Sequence, residues 1–398
     1  MITVERQQPC GRDTDVFPQG KPSRDSLAAP VAMAAGLREL AISGLRRMYS
    51  APDGLFGFRV RRGAGGRLVL EGVSWRYTAI ALIGLAAEPE STQASVLGGE
   101  SIARVSDRLA CNVHGMNRVG DVALTLWACA RSGYKARQRL VDRLVELEPD
   151  RAPMPTVELA WTLSAACAEQ DSSIAGLRTR VARRLMAAFD KRSAMFPHVI
   201  GEGATALRAH VACFADLVYP VHALAWYAAL TRDGAAAAVA MTAGRAICAR
   251  QGDAGQWWWH YDRRTGDVIE RYPVYAVHQD SMAPMALFAL SDLGAHDVEA
   301  HVDAGLRWLA RSPELRGGTL VDDEAEIIWR KVARREPGKT SRTLQALASR
   351  SSERRRVPGL DAVFPPRAID YEDRPYHLGW VLYAWPEDRA RRWDNADV

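Results

Sequence analysis

Apolar residues recur at i, i+3, i+4 and i+7 in about a dozen windows, the spacing of one helical face. Half of these windows carry charge on the opposite face, as in Arg178, Arg180, Arg183 and Arg184. They predict outer helices near residues 33–49, 98–112, 135–147, 173–189, 235–250 and 297–311. The other half are apolar nearly all round, as in Ala223–Leu230, and lie near 75–87, 120–132, 156–169, 215–230, 279–292 and 376–385. A helix apolar on every side is buried on every side. Because the two kinds alternate along the chain, the expected fold is all-α: an (α/α)6 toroid of about six helical hairpins, apolar helices inside.

Four inner-helix starts repeat one short phrase: Arg76-Tyr77-Thr78-Ala79, Pro220-Val221-His222-Ala223, Pro273-Val274-Tyr275-Ala276 and Pro375-Tyr376-His377-Leu378. Long loops at 50–74, 190–213, 251–276 and 312–375 all precede inner helices, so they emerge on one rim. Alternation in Leu55–Val60 and Arg67–Leu70 predicts small β-hairpins there. Residues 1–30, polar and containing Pro9, Pro18 and Pro22, are expected to form a disordered tail. A single domain is expected over 31–388, with a basic loop insert at 312–375 and a C-terminal tail at 389–398.

Composition narrows the function only slightly. The net charge of +5 is too small for a nucleic-acid binder. The excess is local: Arg330 to Arg356 holds ten Lys/Arg against Glu336 and Glu353, a segment suited to an acidic polymer or a membrane surface. The six cysteines form no C-x-x-C pair, and most lie in apolar helical stretches, as free thiols of a cytoplasmic protein would. Leu27–Leu37 leads into an amphipathic pattern and reads as a first helix rather than a secretory signal. Nucleotide-binding, zincin and α/β-hydrolase motifs are absent.

The chemistry-bearing residues gather at the predicted inner-helix starts. Asp280 and His278 open the fifth, Asp121 the second and Glu158 the third, which makes these four the catalytic candidates. Helix capping and favourable dipole interaction account for the same acidic residues without catalysis. The run Gly255–Asp262 carries three consecutive tryptophans, and Trp258, His260, Tyr261, Asp262 and Gln279 read as a sugar-binding wall. Asn117, His222, Glu372, Arg374, Tyr376 and His377 complete the expected binding set, with Arg374 placed to anchor a carboxylated sugar. His222 and His377, matched in the repeated phrase, suit proton abstraction and return at a sugar carbon.

The layout resembles the α/α-toroid superfamilies: six-hairpin glycosidases, sugar epimerases, polysaccharide lyases and terpenoid cyclases. Gln251-Gly-Asp-Ala-Gly255-Gln256-Trp257 is similar to the Q-x-x-x-G-x-W element of terpenoid cyclases, where it is structural. The resemblance implies an enzyme acting on a sugar or oligosaccharide, most readily an acidic one, as hydrolase, lyase or epimerase without a cofactor. A terpenoid cyclase or prenyltransferase-like enzyme is the first alternative. It would need magnesium, with Asp322, Asp323 and Glu326 as ligands, yet the chain has no D-x-D-D and no second acidic motif. A non-catalytic carbohydrate-binding or polysaccharide-assembly protein is the second alternative.

Overall fold

The computed structural model describes residues 33–396 apart from 170, 202–208, 317 and 352–355. The expected tail at 1–30 lies outside them. The described chain is mostly helical, with small sheets confined to loops. Six apolar helices form the inner layer: Trp75–Leu85, Val119–Arg131, Thr156–Ala168, Ala215–Thr231, a turn at His278–Met282 continuing as Ala283–Ser291, and Pro375–Ala384. Each packs on the next in chain order, and the sixth returns to the first. All six expected outer helices are present, the first as Met33–Met48.

Between the first and sixth inner helices the backbones touch. A Cβ on Gly84 would run into the Gly379 carbonyl, and one on Gly379 into the backbone of Ile80 and Ala81. Close backbone approach is one of the few reasons to accept glycine's entropic cost inside a helix. Outside the basic insert, two short α-helices were not foreseen, Glu90–Val96 and Glu387–Ala396. The latter replaces most of the expected C-terminal tail. Its Trp393 packs on Trp385 and Phe288, with ring centroids 5.3 and 5.6 Å apart. Its Asp394 accepts the Ala34 and Ala35 amides at 3.0 and 2.9 Å, capping the first outer helix. Nearby, buried Arg38 grips Glu88 and the Trp385 carbonyl.

The long loops carry the strands, as expected, and pair with one another around the rim. Leu55–Arg62 forms a hairpin with Leu68–Val73 and also pairs with Glu372–Asp373 at the far end of the chain. Val211–Cys213 pairs with His260–Asp262, and Lys331–Ala333 joins Val274–Tyr275 to Ala368–Asp370. The basic insert is therefore built into the rim. Lys331 bonds Asp370 at 2.7 Å, Arg334 bonds Glu270 at 3.0 Å, and the insert helix Thr340–Ser351 places Arg342 4.7 Å over Trp259.

Gln251-Gly-Asp-Ala-Gly255-Gln256-Trp257 is a clasp. Gln251 donates to the Gly255 and His301 carbonyls at 2.6 and 2.8 Å, while Trp257 reaches back to the Ile247 carbonyl at 3.3 Å. Gly255 has φ of +95° and lies against the Ala304 backbone, a conformation and a contact that both exclude a side chain.

Candidate active site

The ring interior is floored by aromatic rings. Tyr219 on the fourth inner helix touches Trp161 on the third and Trp380 on the sixth, at 5.3 and 5.9 Å. Trp127 packs on Trp380 from the second helix at 5.5 Å. These large residues, from four of the six inner helices, pack on one another across the interior.

On one wall of the mouth, Asp121 and Glu158 stand at adjacent helix starts. Arg76 bonds Asp121 at 2.5 Å and lies 5.7 Å from the Trp161 ring. Glu158 accepts from Arg118 at 3.0 Å and from the Gly120 amide at 3.1 Å. The Asp121 side chain retains 26 % exposure, so this wall is wet.

The fifth and sixth helices supply the other wall, and it is enclosed. His377 lies between two carboxylates, with Nε2 2.7 Å from Asp280 Oδ2 and Nδ1 3.3 Å from Asp373 Oδ1. Burial opposes charge on this imidazole, but the two carboxylates outweigh it and raise its pKa to about 10. Burial raises the Asp373 carboxyl, and the bond from His377 offsets this only in part. Asp280 Oδ1 and Asp373 Oδ2 are buried and have no hydrogen-bond partner among the described residues.

Asp280 sits in a π-helical turn, a wider coil than the α-helix it leads into. Its carbonyl accepts the Trp385 indole N–H at 2.6 Å. His278 in the same turn is also enclosed, 4.5 Å from Phe214 and 5.2 Å from Tyr275. Burial lowers its pKa to about 3, with the charge on His377 acting the same way, so it is neutral, and Nδ1 has no hydrogen-bond partner among the described residues.

Tyrosines and arginines cluster around the first and sixth helix starts. Tyr376 is 4.9 Å from Tyr77, and Tyr77 accepts from Arg374 at 3.0 Å. Glu372 is gripped by Arg59, Arg330 and Arg374. Burial pushes its carboxyl upward, but the arginine charges dominate and hold it below the usual carboxylate range.

Of the expected residues, the mouth thus unites Asp121, Glu158, Asp280, His278, Arg374, Tyr376 and His377. His260 lies beside them, stacked 4.2 Å from Trp259. Glu372 is close by but acts as an ionic hub for three arginines. The sugar wall expected around the tryptophan run is not assembled. Tyr261 is a core residue at 1 % exposure, and Trp258, edge-on to Tyr272 at 5.9 Å, lines a cavity with Glu270, Arg271 and Arg334. Asp262 ends the strand His260–Asp262, and its carboxylate accepts from the Arg264 guanidinium at 2.6 Å and from the Arg264 amide at 3.0 Å. Gln279 bonds the Trp257 amide and the Trp257 and Tyr275 carbonyls, which satisfies its side chain structurally.

Asn117 is exposed and bonded to Arg143 of an outer helix. His222 lies below the floor, because the fourth inner helix begins seven residues before it at Ala215. Asp322 is held by Arg62 and the Trp329 indole, Glu326 by Arg47 and Ser43 of the first outer helix, and Asp323 is exposed. The three do not converge on a common metal position.

Sequence reasoning missed Arg76, Tyr77, Asp373, Tyr275 and Arg330 as members of this constellation. Arg76, Tyr77 and Tyr275 sit inside the repeated phrase, so the phrase itself was the available signal.

No protein family and no curated protein matches the sequence. Solved structures do match the fold. An unsaturated glucuronyl hydrolase specific for heparin aligns with a TM-score of 0.58 at 11% identity, over 92% of this chain and 98% of that one. An unsaturated glucuronyl hydrolase from Bacillus sp. GL1 aligns at 0.55 and 11%, over 89% and 95%. Cellobiose 2-epimerase from Bacillus thermoamylovorans aligns at 0.60 and 11%, over 89% and 99%. At this identity the likeness is one of fold, and it places the chain among α/α-toroid architectures.

Proposed function

We propose that the chain is an (α/α)6 toroid enzyme that acts on an acidic sugar or oligosaccharide by carboxylate–histidine acid–base chemistry, hydrolysis being the leading reaction. The observation that carries this reading is the pairing of two walls. Asp121 and Glu158 stand at the wet side, and the Asp280–His377–Asp373 relay with its two unpartnered carboxylate oxygens stands on the opposite side of the ring. Glycoside hydrolysis needs carboxyl groups on both sides of the scissile bond, one giving a proton and one assisting water or the sugar carbon. His377 keeps a proton available between Asp280 and Asp373, while Arg76 positions Asp121.

Tyr77, Tyr376 and Trp161 offer ring faces for a pyranose. Arg76, Arg118 and Arg374 supply the charge that would favour a uronic acid. The fold shared with two glucuronyl hydrolases and an epimerase acting on a disaccharide supports the substrate class. Free buried thiols at Cys129, Cys167, Cys213 and Cys248 support a reducing, cytoplasmic setting. No described helix is long and apolar enough to cross a membrane.

The test is turnover of a panel of uronyl oligosaccharides, saturated and unsaturated, with products separated by mass and anomeric configuration. Asp280→Asn is expected to lower kcat at least 100-fold while the fold persists, within the range of lost acid–base assistance. Binding without turnover by the unaltered protein would favour a carbohydrate-binding role. Full activity in Asp280→Asn would remove the relay from the mechanism.

A further inference from the structure

Away from the walls just described, one cluster of unlike ligand types converges between the third and fourth inner helices. His198 Nδ1, Cys213 Sγ and an Asp216 carboxylate oxygen all lie within 4.8 Å of one another. Among the described residues, no other group of three or more His, Cys, Asp and Glu comes together in this way.

Each member is held by its own backbone context. Cys213 ends the strand Val211–Cys213, Asp216 is the second residue of the fourth inner helix, and the His198 carbonyl accepts the Thr156 amide at 3.0 Å. The site therefore rests on two helix starts and a strand rather than on a free loop.

Asp216 is the residue that a purely structural account leaves unexplained. Its Oδ2 accepts the Cys213 amide at 2.8 Å and lies 2.8 Å from His198 Nδ1, which is a sufficient arrangement for starting a helix. Its Oδ1 is buried in a side chain of 0 % exposure and has no partner among the described residues. Leaving a carboxylate oxygen buried and unpaired costs about 1–3 kcal/mol or more. A cation at this point would remove that cost.

The geometry points to a zinc-class transition-metal site formed by Cys213, His198 and Asp216, outside the carboxylate–histidine walls of the mouth. The donor set of one thiolate, one imidazole and one carboxylate suits zinc and does not suit magnesium or calcium, which take oxygen ligands. Zinc bonds of about 2.0–2.3 Å place tetrahedral ligand atoms roughly 3–4 Å apart, so side-chain adjustments of about an ångström complete the site. On binding, the Cys213 thiol loses its proton to solvent and its sulfur electron pair forms the metal bond. Three protein ligands leave a fourth position for water. His198, one-third exposed, marks the route of entry.

The metal would also brace the mouth. Phe214, between two of the ligands, packs 4.5 Å from His278, and its amide donates to the Trp259 carbonyl at 2.9 Å.

The experiment uses tag-free full-length protein, stripped with a chelator and titrated with zinc and, separately, with cobalt(II). We expect one zinc per chain, a rise in melting temperature, and a thiolate-to-cobalt charge-transfer band in the near ultraviolet. Cys213→Ser is expected to abolish the band and weaken zinc about 10–100-fold, whereas Cys111→Ser leaves both unchanged. Asp216→Asn keeps an oxygen to accept the Cys213 amide, so the fold persists while zinc binding weakens by a similar factor. Absence of any cobalt band and any zinc-induced shift in the unaltered protein would overturn the site. Equal zinc affinity in Cys213→Ser and His198→Ala would do the same, since the metal would then be bound elsewhere.

Discussion

His377 and His222 belong to the same repeated phrase, and both are buried, at 3 % and 4 % exposure. They nevertheless differ in charge, one a cation and the other neutral. His377 lies between Asp280 and Asp373 and is a cation up to about pH 10. His222 lies below the floor, 5.7 Å from the Trp127 ring, with Nε2 2.9 Å from the Tyr383 hydroxyl and Nδ1 3.4 Å from Ser164. Burial, aided by the charge of Arg131, lowers its pKa to about 3 and keeps it neutral. Enclosure alone therefore does not set the state of an imidazole; the carboxylates within reach do. The upper site is organised for charge and the lower one for packing.

The strongest way to break this contrast is to remove each imidazole in turn. His377→Leu leaves Asp280 and Asp373 buried together without a counter-charge, and is expected to cost about 3–5 kcal/mol in urea unfolding at pH 7. His222→Leu leaves only the Tyr383 hydroxyl and Ser164 short of a partner, so about 1–3 kcal/mol is expected. Equal losses would mean that the relay contributes no more than ordinary packing.

A pH series sharpens the comparison next. The folded pKa of His377 is raised, so its contribution is complete below the ordinary value of 6.5 and fades as pH rises toward 10. His222 and His278 are depressed, so stability is full above 6.5 and is lost as pH falls toward 3. His377→Gln should flatten the alkaline limb of the stability curve and His222→Gln the acid limb, as followed by thermal unfolding. Imidazole NMR shifts would report the two states directly. The smallest effect expected is from Tyr383→Phe, which removes a single hydroxyl partner of His222 and should cost about 0.5–1.5 kcal/mol without moving activity.

The same pair shows what the sequence makes legible. Alternating charged and apolar helical windows located all six inner helices to within a few residues, because periodicity is a local property. The hairpin at 55–73 was legible for the same reason. The height of His222 in the ring was not. Matching it to His377 by the phrase assumes that both helices start at the proline, and Pro220 instead lies inside its helix. Asp280 and His377 were each singled out, but their bond spans 97 residues and no local pattern records it. Gln279 and Asp262 read as binding groups because a polar residue at a rim looks the same whether its partner is a ligand or a backbone amide. The helix at 387–396 was missed because its sequence is almost wholly polar and its one large apolar anchor, Trp393, shows no period.

The seam between the ends of the described chain has a kinetic consequence. Gly84 meets Gly379, Ala34 meets Asp394, and residues 60–61 pair with 372–373. Those contacts have sequence separations near the full length of the domain, the class that makes folding slow. Neighbouring hairpins form from local contacts while synthesis proceeds, but the ring cannot close until its last helices have left the ribosome. Until that moment Trp127, Trp161 and Tyr219 lack Trp380 above them, and the floor of the future site is an open aromatic surface. The nascent chain is thus most vulnerable to aggregation just before its sixth inner helix emerges, and a chaperone that shields aromatic surface would act on it at that stage.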